Sequence, residues 1–144
     1  MAAVEDPSEQ AFGRGNAFAQ ALGVKMVERG KGSAVFSFTT RAQDLNAQGV
    51  VHGGVLAGLM DLLLAMAAGA HPEPAARRFS ITLSMTINFV GAAAPGRLIC
   101  RGREVGGGSR TVFCEGRIET EAGELIATGQ GSFKLLPPGS EGTA

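Results

Sequence analysis

The stretch Val55–Ala68, VLAGLMDLLLAMAA, constrains this chain more than any other. Wound as a helix it is apolar on nearly all sides, and such a helix has to be covered over most of its surface. It is shorter than the roughly 20 residues that span a bilayer, and it carries a charge, so it reads as a core helix. That charge, Asp61, is with Asp44 the only side chain charged at pH 7 between Arg41 and Glu73, the histidines being counted neutral. A carboxylate on a helix expected to be buried is costly to desolvate and must be paired, hydrogen-bonded or neutralised.

The flanking segments indicate what covers this helix. Ile81, Leu83, Met85, Ile87 and Phe89 alternate with Thr82, Ser84, Thr86 and Asn88, the period of a half-buried strand whose apolar set is expected to face the helix. Arg97–Val105, Thr111–Thr120 and Glu124–Leu136 follow as strands, broken by Gly106-Gly107-Gly108 and Glu121-Ala122-Gly123. Upstream, Val24–Glu28 and Ser33–Thr39 form a hairpin around Arg29-Gly30-Lys31-Gly32, and Gln10–Leu22 reads as a modest amphipathic helix weakened by Gly13 and Gly15. Arg41–Val51 is a loop, and the central helix is expected from about Gly53 to Ala68, ended by Gly69 and Pro72. The expected class is α+β, one long helix wrapped by a curved antiparallel sheet of five to six strands. A single domain is expected over residues 10–136, with flexible ends at 1–9 and 137–144. An open sheet leaves edges, which predicts pairing with a second copy.

Thirteen basic and thirteen acidic residues cancel, and no basic run or zinc-finger spacing points to nucleic acid. Cys100 and Cys114 fall in strand-like segments and form no CxxC. With an N-terminus lacking the basic-then-apolar order of a signal peptide, this leads to an expected cytoplasmic location.

Chemistry concentrates between Asn46 and Asp61. Gly53 and Gly54 lack Cβ atoms, so a ligand can approach the backbone at the helix start, where free N–H groups and the helix dipole favour negative charge. The spacing Asn46-x-x-Gly49-x-x-His52-Gly53-Gly54 with Leu59 and Asp61 beyond closely resembles the hotdog-fold acyl-CoA thioesterases, specifically the phenylacetate-pathway (PaaI-like) type. The element order matches that fold over roughly residues 10–136.

The resemblance implies that the Gly53 amide stabilises the oxyanion and that Asp61 is nucleophile or general base towards water. It places Asn46 and His52 at the same site, although Asn46 also suits a turn hydrogen bond and His52 a loop-fixing role. It places Thr82 near the attacking water. Gly54 is expected to bind the substrate, Phe89 to line the pantetheine channel or else to fill core, and Gly108, Ser109, Arg110 and Thr111 to hold the nucleotide end of CoA. A glycine-rich hairpin with a solvated arginine is the alternative for that loop. Gly53 and Asp61 lie eight residues apart, about 12 Å along one helix. One reacting carbon cannot touch both, so the acid is expected to serve a thioester held by another subunit. A homodimer follows, and the resemblance extends it to a homotetramer. No metal and no bound cofactor are implied, since the CoA thioester is the substrate. A hotdog hydratase or dehydratase and a non-catalytic acyl-CoA-binding protein are the alternatives.

Overall fold

The computed structural model describes residues 10–11 and 16–140. The expected flexible segment 1–9, the glycines of the first expected helix and the end of the C-terminal tail lie outside the described residues. Among the described residues seven strands form one antiparallel sheet. They are β1 (Gln10–Ala11), β2 (Lys25–Gly30), β3 (Ser33–Thr39), β4 (Ser80–Phe89), β5 (Arg97–Gly107), β6 (Thr111–Thr120) and β7 (Leu125–Leu135), in the spatial order β1-β2-β3-β5-β6-β7-β4. Among the described residues two α-helices, α1 (Ala17–Leu22) and α2 (Gly53–Gly69), and two short 3-10 turns, Ala42–Asp44 and Pro74–Ala76, accompany the sheet, and α2 packs against β3 through β7. This is the expected hotdog architecture; the two-residue β1 is the addition to its six longer strands.

The sheet is shaped to receive α2. Gly102, Gly116 and Gly129 stand in register across β5, β6 and β7. A Cβ at these positions would come within 2.9 Å of Leu63, 2.9 Å of Leu63 and Leu64, and 2.7 Å of Met60. Their missing side chains let the helix sink onto the sheet, where Leu59, Met60, Leu63 and Leu64 are fully enclosed with Phe36, Phe38 and Phe133.

Two expectations need correction. The first helix does not start at Gln10. Asn16 Oδ1 accepts from the Ala19 N–H at 2.9 Å and caps α1, while Gln10 and Ala11 pair with Met26 and Lys25 at the edge of β2. The apolar alternation of β4 also does not face the helix throughout. The pairing with β7 shifts between Thr82 and Ser84, so the strand changes phase at Leu83. Before the shift Thr82 turns towards α2, and after it Met85 and Ile87 join the core; Ile81 and Leu83 are half-exposed instead. Because β4 ends the sheet, these apolar side chains flank an open edge.

Candidate active site

The loop before α2 is held by its own side chains. Asn46 Oδ1 accepts from the Gln48 N–H at 2.9 Å and the Val50 N–H at 3.3 Å. Gly49 takes the left-handed conformation this tight turn requires, at φ 77°. Leu45 bridges to Val51, and the His52 N–H donates to the Asp44 carbonyl at 2.8 Å. The Asp44 carboxylate is buried and receives the Arg41 backbone N–H at 2.8 Å and its guanidinium at 3.0 Å. Those Arg41 hydrogen bonds hold the Asp44 carboxyl below its ordinary range against the opposing effect of burial. Arg41 also donates to the Ala21 carbonyl at 2.6 Å, tying α1 to this loop.

His52 caps α2. Its Nδ1 accepts from the Gly54 N–H at 2.8 Å, and a Cβ at Gly54 would stand 3.0 Å from that nitrogen. The glycine thus makes room for the imidazole, and its amide is engaged there rather than directed outward. Among the described residues, no group accepts from the Gly53 N–H. An unengaged amide at the first helical position carries the positive end of the dipole. The Phe89 ring lies beside it, 3.6 Å from where a Gly53 Cβ would be.

Asp61 is only partly buried, not enclosed as expected. The sheet covers one side of α2, and the opposite side carries Gly54, Ala57, Gly58 and Ala65 with Asp61 among them, all partly or fully exposed. Thr82 Oγ1 donates to Asp61 Oδ1 at 2.7 Å, and Ser80 Oγ donates to the Ala65 carbonyl at 2.7 Å one turn further on. The strand's change of phase is what points Thr82 at the acid.

One protomer brings these residues into two groups, not one. Asn46, His52, Gly53, Gly54 and Phe89 gather at the start of α2. Asp61 and Thr82 stand about two turns along it. The third expected group lies beyond: Thr111 is level with Lys134 and, through it, with Ile81, which places the hairpin past Asp61 towards the C-terminal end of α2. There the Gly108 N–H donates to the Thr111 carbonyl at 2.8 Å, Gly107 adopts φ 120°, and Ser109 and Arg110 are exposed. Of the three glycines only Gly107 is required by its geometry, since a Cβ there would come within 2.4 Å of the Thr111 carbonyl oxygen.

Other features carry less chemistry. No group of three or more His, Cys, Asp or Glu able to hold a metal occurs among the described residues. Both cysteines are buried; burial raises the Cys100 thiol, and burial with the nearby Glu104 pushes Cys114 up to about 12. A hollow of about 500 Å³ is lined by Arg101, Arg117, Thr128 and Gln130 among others, and neither Gly53 nor Asp61 lines it. Sequence reasoning missed the Arg41–Asp44 clamp and the position of Phe18, whose ring lies against Gly58. The first had a local signal, an Arg and an Asp three residues apart ahead of the helix; the second had none.

A model of the thioesterase superfamily matches residues 48–127. A conserved protein from Pseudomonas aeruginosa is similar in structure, with a TM-score of 0.75 and 32% identity, covering 83% of this chain and 94% of that one. The PaaI protein from the E. coli phenylacetic acid degradation operon gives 0.76 and 25%, covering 85% and 86%. The phenylacetic acid degradation protein PaaI from Thermus thermophilus, solved as a mutant, gives 0.69 and 28%, covering 83% and 98%.

Proposed function

This chain belongs to the thioesterase superfamily and is a thioester hydrolase, and from that premise we propose that it hydrolyses acyl-CoA at a site shared by two copies of the chain. The observation that carries this reading is the pair of half-sites spaced along α2: an unengaged Gly53 amide at its start and a Thr82-bound Asp61 on its outward side. Neither half is complete alone, and both face the open edge at β4.

The strand itself supplies the register. Thr82 marks the level of Asp61, and Phe89 marks the level of Gly53. Antiparallel pairing of β4 with its copy about an axis between Met85 and Thr86 sets Thr82 beside the partner's Phe89. Asp61 then approaches the partner's Gly53. The same pairing covers Ile81 and Leu83, which are 50% and 57% exposed in one protomer, and removes the open sheet edge. Two equivalent sites result, and two such dimers form the homotetramer that the resemblance implies.

In each site the thioester oxygen lies at the partner's Gly53 N–H, which stabilises the oxyanion as it forms. Asp61 takes the proton of the attacking water, or attacks the carbon itself and is released by water; Thr82 holds the carboxylate in either role. The tetrahedral intermediate collapses, the C–S bond breaks, and the thiolate is protonated to give free acid and CoA. His52 spends its Nδ1 lone pair on Gly54, so the neutral ring carries its proton on Nε2 and offers a donor, not a base. This weighs against a hydratase, which needs a basic histidine beside its acid. With Asn46 Oδ1 engaged in the loop, its amide NH2 remains to orient water or the carbonyl. Arg110 and Ser109 reach the CoA phosphates from the hairpin, with Gly108 and Thr111 shaping it.

The test is thiol release from a panel of aliphatic and aromatic acyl-CoAs, with Asp61→Ala alongside. Release that vanishes in the variant supports the reading. Undiminished release in the variant would move the chemistry elsewhere, and binding without release in the native chain would favour a non-catalytic acyl-CoA-binding protein.

A further inference from the structure

We infer that Phe18 is a specificity-determining residue, the end wall of the acyl pocket that limits how long an acyl group the site accepts. The inference rests on the hydrolase site proposed above and extends it to a residue outside the motif. Phe18 lies on α1, and its ring is laid against α2 at Gly58: a Cβ there would stand 2.9 Å from Phe18 Cζ and 3.4 Å from Cε1. Gly58 is three residues before Asp61, so the two positions are neighbours on the outward side of the helix. The room left by the missing Gly58 side chain is filled by this ring.

The ring is fixed but uncovered. Asn16 caps α1 at one end, Gly23 ends it in the left-handed conformation at φ 71°, and Ala19 and Leu22 anchor it in the core. Arg41 ties the Ala21 carbonyl to the loop that starts α2. Yet Phe18 itself is 55% exposed, an apolar surface standing over the small-residue side of α2.

The two arms of a thioester bound at Asp61 run in opposite directions. The hairpin Gly108–Thr111 lies past Asp61 towards the C-terminal end of α2, so the CoA arm leaves over Ala65. The acyl arm is directed the other way, over Gly58, and meets Phe18. Its length and shape are therefore set by a side chain on α1, not by the motif at the start of α2.

The experiment is a kcat/KM profile over acetyl-, butyryl-, hexanoyl-, octanoyl-, decanoyl- and phenylacetyl-CoA for the native chain, Phe18→Ala and Phe18→Leu. In Phe18→Ala the preferred acyl length increases, and the ratio of longer to shorter substrates rises at least about tenfold. Phe18→Leu shifts the ratio less, in the same direction, and decides the matter if the alanine variant fails to fold. An unchanged profile in every folded variant overturns the inference. Should the native chain release thiol from no substrate, the hydrolase reading fails. The chain-length dependence of S-alkyl-CoA thioether binding, measured by calorimetry, then tests the wall separately: affinity for longer chains that rises in the variants supports it, and equal dependence in all three overturns it.

Discussion

Thr82 Oγ1 donates a 2.7 Å hydrogen bond to Asp61 Oδ1, so the one acid of the central helix is oriented by the edge strand rather than by the helix itself. The contact exists because the β4–β7 register shifts between Thr82 and Ser84. A hydrogen bond to a charged group contributes about 1.5–3 kcal/mol. Thr82→Val keeps the shape of the side chain and removes the donor. It is expected to lower kcat by about ten- to a hundredfold with KM little changed, measured by thiol release at saturating acyl-CoA. A kcat equal to the native value would show that Thr82 has no part in positioning the acid.

The shared site makes assembly and activity inseparable. Ile81 and Leu83 face outward from the protomer, so charged residues there leave the core of one subunit intact. Ile81→Glu with Leu83→Glu is expected to yield a folded monomer by analytical ultracentrifugation, with thiol release lost together with the dimer. An active monomer would refute the sharing of Asp61 and Gly53 between subunits.

These two cases mark how far the sequence can be read. The long helix, the strand order and the standing of Asp61 were legible because they depend on local periodicity and on a charge out of place in an apolar run. The phase of β4 was not. It depends on how Thr82 and Ser84 register against Phe133 and Ser132 of β7, and the alternation Ile81–Phe89 continues undisturbed through the bulge. The burial of Asp61 was overestimated for a related reason: an all-apolar helix implies cover on every side, but one protomer supplies it on one side. The cover over the small-residue side has to come from Phe18, from substrate or from a second copy, and none of these is encoded near Asp61.

The glycine row under α2 gives a stability prediction independent of function. Gly116 faces Leu63 and Leu64, with a Cβ placed 2.9 Å from each and 3.2 Å from the Arg101 carbonyl oxygen. Gly116→Ala is expected to lose about 1–3 kcal/mol in urea unfolding through overpacking. Gly106→Ala, where a Cβ meets nothing within 4 Å, serves as the control and is expected to change stability by about 0.5 kcal/mol or less. Equal stabilities in both variants would show that the helix can ride up without cost.

The Arg41–Asp44 clamp predicts a pH dependence of stability. Arg41 lowers the Asp44 carboxyl below the ordinary value of 3.8, chiefly by its side-chain hydrogen bonds. A depressed folded-state value means that the contribution is fully present above the unfolded value and is lost as pH falls through the folded one. Asp44 is nearly enclosed while Arg41 keeps 36% of its side chain exposed, so solvent screening places the pair at about 1–2 kcal/mol, below a fully buried one. Asp44→Asn is therefore expected to be less stable than the native chain by about that amount at pH 7, with the gap closing as pH falls below 3.8, where the native carboxyl is itself being protonated. Urea unfolding of both proteins from pH 7 to pH 2.5 measures the gap. A constant gap across that range would mean that the carboxylate's charge contributes nothing and that only its packing holds the loop at the start of α2.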